Sequence, residues 1–182
     1  MFPYHFTGHD GTECLLRPLD DDDGDALADF FDSLGDSTRQ LFGPHPLTAA
    51  HSKLVCETID TDSADRFVLI RAQSIIGYFI LEYAPAPHEG HRYQALGIKL
   101  DPTVDPLLAP CISDPFQSLG YASLVMDYFI QYGRAIKLRS FVLMGGTQAG
   151  NALARHFYQK HGFEAFTIFQ TDVENIDMRL LL

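Results

Sequence analysis

The sequence predicts a mixed α/β domain in which helices flank a mainly antiparallel sheet of about seven strands. Three observations indicate this class. Apolar residues recur at helical spacing in several segments, β-rich runs lie between those segments, and the second half alternates strand, helix, strand, helix and strand. This alternation brings at least two strands parallel, while the hairpins that precede it are antiparallel.

The first predicted elements are a strand over residues 14–18 and a helix whose apolar positions fall within residues 26–34. The acidic run 20–23 lies between them. Because carboxylates stabilise a helix N-terminus, we interpret this run as a cap rather than as a metal site. The sequence Gly-Pro-His-Pro at residues 43–46 predicts a turn, and residues 47–59 have the pattern of a second helix.

Strands are predicted at residues 67–71 and 75–83, which form a hairpin around a short turn, and at residues 93–100. Residues 101–116 contain four prolines and are expected to form an irregular loop. The remaining predicted elements are an amphipathic helix with apolar positions from 124 to 132 that ends at Gly133, a strand at 140–144, a helix at 151–161 that ends at Gly162, and strands at 163–170 and 176–182.

Length and composition limit the class of protein. The 182 residues are expected to form a single domain over residues 1–182, and 46% hydrophobic residues are typical of a globular chain. Cys14, Cys56 and Cys111 are odd in number and widely spaced, which disfavours a disulfide framework and favours a reducing, cytoplasmic location. The sequence shows no export signal and no run of the ~20 apolar residues that span a bilayer, so no membrane partner is expected.

The net charge of −11 argues against a nucleic-acid partner, because such proteins replace phosphate counterions with clustered cations. A cationic small partner fits this charge better. The acidic surface is also explained by solubility alone.

A first candidate site lies just ahead of the amphipathic helix. A helix start offers unpaired backbone N–H groups and a partial positive charge, and small residues such as Gly120 and Ala122 let an anion, for example a pyrophosphate, approach them. The alternative is an ordinary helix start with Ser118 as its cap. The residues of this segment are Gln117, Ser118, Leu119, Gly120, Tyr121 and Ala122.

A second candidate site is the segment Asn-Ala-Leu-Ala-Arg-His-Phe-Tyr-Gln-Lys-His-Gly-Phe at residues 151–163. On a helix, Asn151 and Tyr158 share one face at a separation of about 10 Å. An extended ligand could contact both residues. Alternatively, Asn151 is a helix cap and Tyr158 is a packing residue.

The two segments together resemble the GNAT N-acetyltransferases, whose cofactor loop has the pattern Gln/Arg-x-x-Gly-x-Gly/Ala and whose later helix has the pattern Asn-x-x-Ala-x-x-Phe/Leu-Tyr-x-x-x-Gly-Phe. The resemblance implies the GNAT fold and transfer of acetyl from acetyl-CoA to a primary amine of a small molecule or protein, in a ternary complex and without a metal. It assigns the amides of residues 117–122 to the pyrophosphate, Asn151 to the pantetheine arm, and Tyr158 to protonation of the departing thiolate.

The sequence also departs from the family. Residues 118–119 stand where a glycine and a basic or polar residue are usual, so a cation near the phosphates is missing. Many members carry, on the fourth strand before a Leu-Gly-Ile segment, a Glu that deprotonates the amine. In this sequence residues 94–96 (Gln, Ala, Leu) stand in that stretch. Glu82 is the substitute base that we consider first, followed by His91 and Asp101, although all three are also explained as solvated strand-end or loop residues.

The missing Glu keeps a second hypothesis open, in which the chain is a catalytically weak acyl-CoA-binding module with a regulatory or interaction role. The sequence does not identify the acceptor amine, and it leaves a homodimer open.

Overall fold

The computed structural model describes residues 2–84 and 87–182. In these residues the strands are β1 (Tyr4–Thr7), β2 (Glu13–Pro18), β3 (Ala64–Arg71), β4 (Ser74–Glu82), β5 (Leu107–Ile112), β6 (Ser140–Gln148), β7 (Glu164–Gln170) and β8 (Glu174–Leu181). The helices are α1 (Gly24–Asp32), α2 (Asp36–Leu41), α3 (Ala49–Glu57), α4 (Pro87–Ala95), α5 (Tyr121–Ala135) and α6 (Ala152–Lys160). None of the described helices combines the length and apolar character that crossing a membrane requires.

The strands follow the order β1-β2-β3-β4-β5-β6-β8-β7 in the sheet. The antiparallel neighbours include β1 with β2, β2 with β3, β6 with β8, and β7 with β8. β5 and β6 run parallel, with Leu107 opposite Val142. The predicted mixed, mainly antiparallel class is therefore confirmed. The described residues form eight strands rather than about seven, because β1 and β5 were not predicted and residues 93–100 are not a strand.

The chain divides into two compact units, of which the first comprises Met1–Ile80 and Ala109–Val125. Its core contains apolar side chains of α1, α3, β3 and β4 that pack together, and its members include Leu27, Phe30, Phe31, Val55, Val68, Tyr78 and Ile80. The predicted hairpin of β3 and β4 turns through Ala72 (φ +48°) and Gln73 (φ +67°). Two successive left-handed residues match the twist of a tight hairpin.

The acidic run ahead of α1 acts as a cap, as predicted. The Asp20 carboxylate accepts from the Asp22 N–H (3.4 Å), and the Asp20 N–H donates to the Asp23 carboxylate (2.8 Å). Arg17 then binds both oxygens of Asp23 at 2.6 and 2.7 Å. These contacts satisfy N–H groups that a helix start otherwise leaves unpaired.

The second unit comprises Leu81–Leu108 and Met126–Leu182. A cluster of its core contains Tyr93, Val142 and Met144, with Ile98, Leu100, Leu107 and Phe166 packed against them. Buried Asp105 accepts hydrogen bonds from Arg139, from Arg179 (3.1 Å) and from the Ser140 hydroxyl (2.6 Å). Paired in this way, a carboxylate can be held away from water.

The predicted strand at residues 93–100 was wrong, because α4 covers residues 93–95 and residues 96–100 form no strand. The Tyr93 ring packs edge-on against Phe166, with 4.5 Å between the ring centres. Gly97 (φ +72°) ends the helix, and the Ile98 N–H donates back to the Tyr93 carbonyl (2.9 Å). This is the usual glycine-terminated helix end, so the apolar residues that looked like a strand belong to a helix and its cap.

The irregular loop expected at residues 101–116 contains the strand β5, so that expectation was also wrong. Pro106 and Pro110 concealed the strand, since proline has no N–H for a sheet ladder and is uncommon in central strands. Leu108 and Ile112 are buried nonetheless.

The prediction that Gly133 ends the long helix was wrong, because Gly133 lies inside α5. A Cβ atom at Gly133 would lie 2.6 Å from Leu182 Cδ1 and 3.0 Å from Phe141 Cζ. The glycine is therefore needed for close packing. The helix ends instead at Ala135, and Lys137 in the turn after it has a φ of +63°.

Candidate functional site

The segment Gln117–Ala122, called the 117–122 loop below, joins the end of β5 to the start of α5. Gln117 Nε2 donates to the Ile112 carbonyl (2.9 Å) and to Thr38 Oγ1 (3.1 Å). Its backbone N–H donates to the Asp114 carbonyl (3.2 Å). Gln117 therefore anchors the start of the loop and uses its own amide in doing so.

The backbone of the loop passes through two left-handed residues. Ser118 has φ +59° and Gly120 has φ +88°, and Leu119 between them does not have a positive φ. Alternation of this kind points successive N–H groups into one concavity, which is a known anion-binding arrangement. Within the described part of the chain, the N–H groups of residues 118–122 have no protein acceptor.

Gly120 is required for a reason that the sequence did not reveal. A Cβ atom at Gly120 would lie 2.5 Å from His9 Cδ2 and 2.7 Å from His9 Nε2, and a side chain would also be strained at a φ of +88°. The exposed His9 ring, from the turn between β1 and β2, therefore lies directly against the loop.

Asp10 and Arg71 hold the first residue of α5. The Tyr121 hydroxyl donates to Asp10 Oδ1 (3.1 Å) and accepts from Arg71 Nε (3.0 Å), while Arg71 Nη2 donates to Asp10 Oδ2 (2.6 Å). The Arg71 guanidinium also lies 5.2 Å from the centre of the Phe116 ring. The hydrogen bond from Arg71 holds the pKa of the Asp10 carboxyl well below its ordinary value. Asp10 is therefore ionised and already paired.

Asp114 connects the approach to the loop with the start of α2. Its carboxylate accepts from the Gly35 N–H (3.0 Å) and from the Thr38 hydroxyl (2.8 Å). These two hydrogen bonds lower the pKa of the Asp114 carboxyl. The loop is thus held on one side by the α1–α2 junction and on the other by the β1–β2 turn.

In the second unit, Asn151 caps α6. Its Oδ1 accepts from the Ala154 N–H (3.1 Å), which satisfies one of the free N–H groups at the helix start. In the residues that the structure describes, the Asn151 side-chain NH₂ has no acceptor and can donate to a ligand.

Tyr158 is buried on α6, with 6% of its surface exposed. Its ring packs edge-on against Phe157 (5.2 Å between centres) and Phe163 (5.3 Å). These contacts fix the orientation of the ring and therefore the direction of its hydroxyl.

The three candidate bases lie in the second unit, and each has a separate setting. Glu82 ends β4, half-buried, and its Oε1 accepts from the Ala84 N–H (2.9 Å). His91 is exposed on α4. Asp101 accepts from the N–H and hydroxyl of Thr103 in a turn, and these bonds lower the pKa of its carboxyl. Asp101 therefore serves the turn.

The model of the acetyltransferase (GNAT) family matches residues 27–163, which include the 117–122 loop and α6. The chain belongs to this family. No match was found among curated proteins.

Solved structures with this GNAT fold span nearly the whole chain. The GNAT domain of S. lividans PAT has a TM-score of 0.75 at 17% identity, covering 99% of this chain and 97% of that one. Ribosomal-protein-S5-alanine acetyltransferase from Vibrio fischeri has 0.72 at 12%, covering 100% and 97%. A chimera of spermidine N-acetyltransferase SpeG from Vibrio cholerae and hSSAT has 0.66 at 18%, covering 92% and 95%. At these identities the likeness concerns the fold alone.

The stretch where the resemblance places the usual GNAT base does not form a strand. Residues 94–96 lie at the end of α4 and in the turn after it, not on a strand. The strand that leads into the 117–122 loop is β5, whose sequence Leu-Leu-Ala-Pro-Cys-Ile contains no carboxylate. Burial raises the pKa of Cys111 on this strand to about 12, so its thiol is protonated at neutral pH.

The sequence analysis did not identify His9, Asp10 and Arg71, which lie beside the 117–122 loop. His9 and Asp10 precede the residues that the family model matches. The one hint in the sequence was the glycine at position 8. In the structure this glycine allows a close contact, because a Cβ atom there would lie 2.7 Å from Tyr121 Cε1. A glycine in a hairpin turn is so common that it does not reveal such a contact.

Proposed function

We propose that this GNAT protein is an N-acetyltransferase that transfers acetyl from acetyl-CoA to a primary amine of a small molecule or protein, within a ternary complex. The 117–122 loop is the main support. Its N–H groups at residues 118–122 lack acceptors among the residues that the structure describes, and they lie at the head of α5. The pyrophosphate of coenzyme A suits such a cradle, because free N–H groups and the positive end of a helix dipole both favour an anion.

When bound, acetyl-CoA supplies the thioester that an amine can attack. In this proposal Asn151 uses its two functional groups separately. Oδ1 caps α6, and the NH₂ group donates to a carbonyl of the pantetheine arm.

Tyr158 is the proposed proton donor to the departing thiolate. A tyrosine with an ordinary pKa of about 10 carries its proton at neutral pH and can donate it as negative charge develops on the departing sulfur. The packing of its ring between Phe157 and Phe163 supports the assignment, because a fixed ring presents the hydroxyl in one direction.

Glu82 is the proposed base, acting on the amine through water. Its carboxylate is oriented by the Ala84 N–H at the end of β4. An amine of pKa about 10 is neutral in about one molecule in a thousand at pH 7, a cost near 4 kcal/mol, so solvent can also accept the proton. We therefore expect Glu82 to accelerate the reaction without being essential.

A second candidate is the catalytically weak acyl-CoA-binding module with a regulatory or interaction role. It is favoured by residues 94–96, which carry no carboxylate where the resemblance places the usual base. This module would keep the loop and bind acetyl-CoA, but it would not turn it over.

A binding assay and a turnover assay test the two functions together. Acetyl-CoA should raise the melting temperature, because a ligand that binds the native state stabilises it. Adenosine should raise it much less, because it lacks the phosphates that the loop would bind. Release of free coenzyme A thiol should then follow addition of a suitable amine.

The net charge of −11 favours cationic acceptors. The similar structures of a spermidine and of a ribosomal-protein alanine acetyltransferase suggest a panel of polyamines and of peptides with a free N-terminus. Binding without turnover across the panel would favour the weak module. No melting shift at millimolar acetyl-CoA would exclude both functions.

A further inference from the structure

We propose that the turn between β1 and β2 forms one wall of the cofactor site and that His9 donates a hydrogen bond from its imidazole to a phosphate of bound acetyl-CoA. This inference rests on the proposed function, because it assigns a new residue to the site that the 117–122 loop provides.

Proximity is the first support. His9 Nε2 lies 2.7 Å from the position that a Cβ atom on Gly120 would take, and Cδ2 of the same ring lies 2.5 Å from it. The edge of the imidazole that carries Nε2 therefore touches the loop at its central glycine. We expect an oxygen that accepts from the loop N–H groups to come within reach of this nitrogen.

The turn is fixed in this place by contacts on both sides of His9. Gly8 packs so closely on Tyr121 that a Cβ atom would lie 2.7 Å from Cε1 of the ring. On the other side, Asp10 accepts from the Tyr121 hydroxyl (3.1 Å) and from Arg71 (2.6 Å). The position of His9 relative to the loop is thus set by its two neighbours in sequence. The His9 side chain itself makes no hydrogen bond to any other residue that the structure describes.

The charges around His9 permit an anion. Asp10 is the nearest carboxylate in sequence, and its negative charge is matched by the guanidinium of Arg71. The His9 ring is exposed and makes no hydrogen bond within the described residues. An imidazole can donate an N–H bond whether it is neutral or protonated, so His9 suits a phosphate oxygen in either state.

His9 also supplies what the loop lacks. Residues 118–122 are Ser, Leu, Gly, Tyr and Ala, so the loop contributes backbone N–H groups but no basic side chain. Arg71 is already engaged with Asp10 and Tyr121. His9 therefore supplies, from a different part of the chain, a side-chain hydrogen-bond donor that the sequence of the loop omits.

The test measures the dissociation constant of acetyl-CoA for the wild type, His9→Ala and His9→Gln. We expect His9→Ala to bind about 10- to 150-fold more weakly, the effect of losing one hydrogen bond to a charged group. His9→Gln keeps an N–H donor and should recover part of this loss. His5→Ala is the matched control, because His5 is an exposed histidine on β1 of the same hairpin and should bind as the wild type does.

Acetyl-3′-dephospho-CoA distinguishes the two sources of phosphate. If His9 binds the 3′-phosphate, the difference between wild type and His9→Ala disappears with this ligand. If His9 binds the pyrophosphate, the difference persists. Either result supports the proposal.

Equal affinity of wild type and His9→Ala for acetyl-CoA would overturn the role of His9 and leave the proposed function intact. Failure of the wild type itself to bind acetyl-CoA would overturn the proposed function and this inference with it. The KM for acetyl-CoA should also rise in His9→Ala while the KM for the amine stays the same, which a general loss of folding would not produce.

Discussion

The 117–122 loop and the start of α6 are held in different ways. The loop is held in place by residues that are remote in sequence. For example, the Tyr121 hydroxyl donates a hydrogen bond to Asp10. The start of α6 depends on its own next turn, as when Asn151 accepts from the Ala154 N–H. A motif that is held locally is almost complete in its sequence. A motif that is held from a distance has residues that contribute to the site but do not belong to the pattern.

The two units also use polar networks differently. Asp10 is 44% exposed at its side chain and holds a residue of the candidate site, whereas the side chain of Asp105 is 0% exposed and binds Arg139 and Arg179 inside the second unit. The exposed network therefore positions a loop, and the buried one supports the fold. Substitutions in each network should separate these roles.

The largest effect is expected for Asp105→Asn. Removing the charge of this buried carboxylate leaves Arg179 and the half-exposed Arg139 without their partner, which costs about 3 kcal/mol. Chemical denaturation should show this fall in the free energy of unfolding. Asp10→Asn is the comparison, and because Asp10 is exposed it should lower stability much less. Similar losses in both variants would contradict the division into a site network and a fold network.

The same carboxylate predicts the acid limb of stability. Burial alone would raise the pKa of Asp105. Hydrogen bonds from Arg139, the Asp101 N–H and Ser140 outweigh that effect and lower the pKa to about 2. The folded pKa thus lies below the value of about 3.9 expected for an unfolded chain. The contribution is complete above about pH 4 and is lost as the pH falls toward 2, so Asp105→Asn should lose less stability than the wild type in that window.

The next effect concerns catalysis. Tyr158→Phe should lower kcat about 10- to 1,000-fold with little change in affinity for acetyl-CoA, because it removes a proton donor and keeps the ring. Steady-state rates and the melting shift with acetyl-CoA measure the two quantities. Tyr132→Phe, which removes a hydroxyl from α5, is the control. Full activity of Tyr158→Phe would leave Tyr158 as a packing residue and remove the catalytic role from α6.

The smallest effect is expected for Gly120→Ala, which places a Cβ atom at a φ of +88° and against His9. The free energy of unfolding should fall by about 1–3 kcal/mol. In the His9→Ala background the same substitution should cost less, because the ring is gone and only the strain of the backbone remains. A double-mutant cycle measures the difference. Strict additivity would show that the ring and Gly120 do not interact.

Much of the fold followed from local patterns. The hairpin of β3 and β4, the acidic cap of α1 and the helix α6 were all predicted within a few residues. Each depends on contacts between residues that are close in sequence, which is the information that periodicity and turn chemistry contain.

The errors arose where tertiary contacts overruled the local pattern. β5 is a strand despite Pro106 and Pro110, because its neighbours in the sheet and burial of Leu108 and Ile112 outweigh the low strand preference of proline. α4 stands where part of a strand was predicted, and from this helix Tyr93 packs on Phe166. Gly133 looked like a helix end, but it serves the packing of Phe141.

The sequence by itself determined the fold class, the family, the 117–122 loop and the helix that Asn151 caps, because all of these are encoded in short segments with characteristic spacing. Tertiary structure alone brought His9, Asp10 and Arg71 to the loop and enclosed Asp105 between two arginines. Pairing of β1 with β2 and of β2 with β3 brings the turn beside Arg71. Contacts of this kind exist only after distant segments have packed together, so no local pattern in the chain records them.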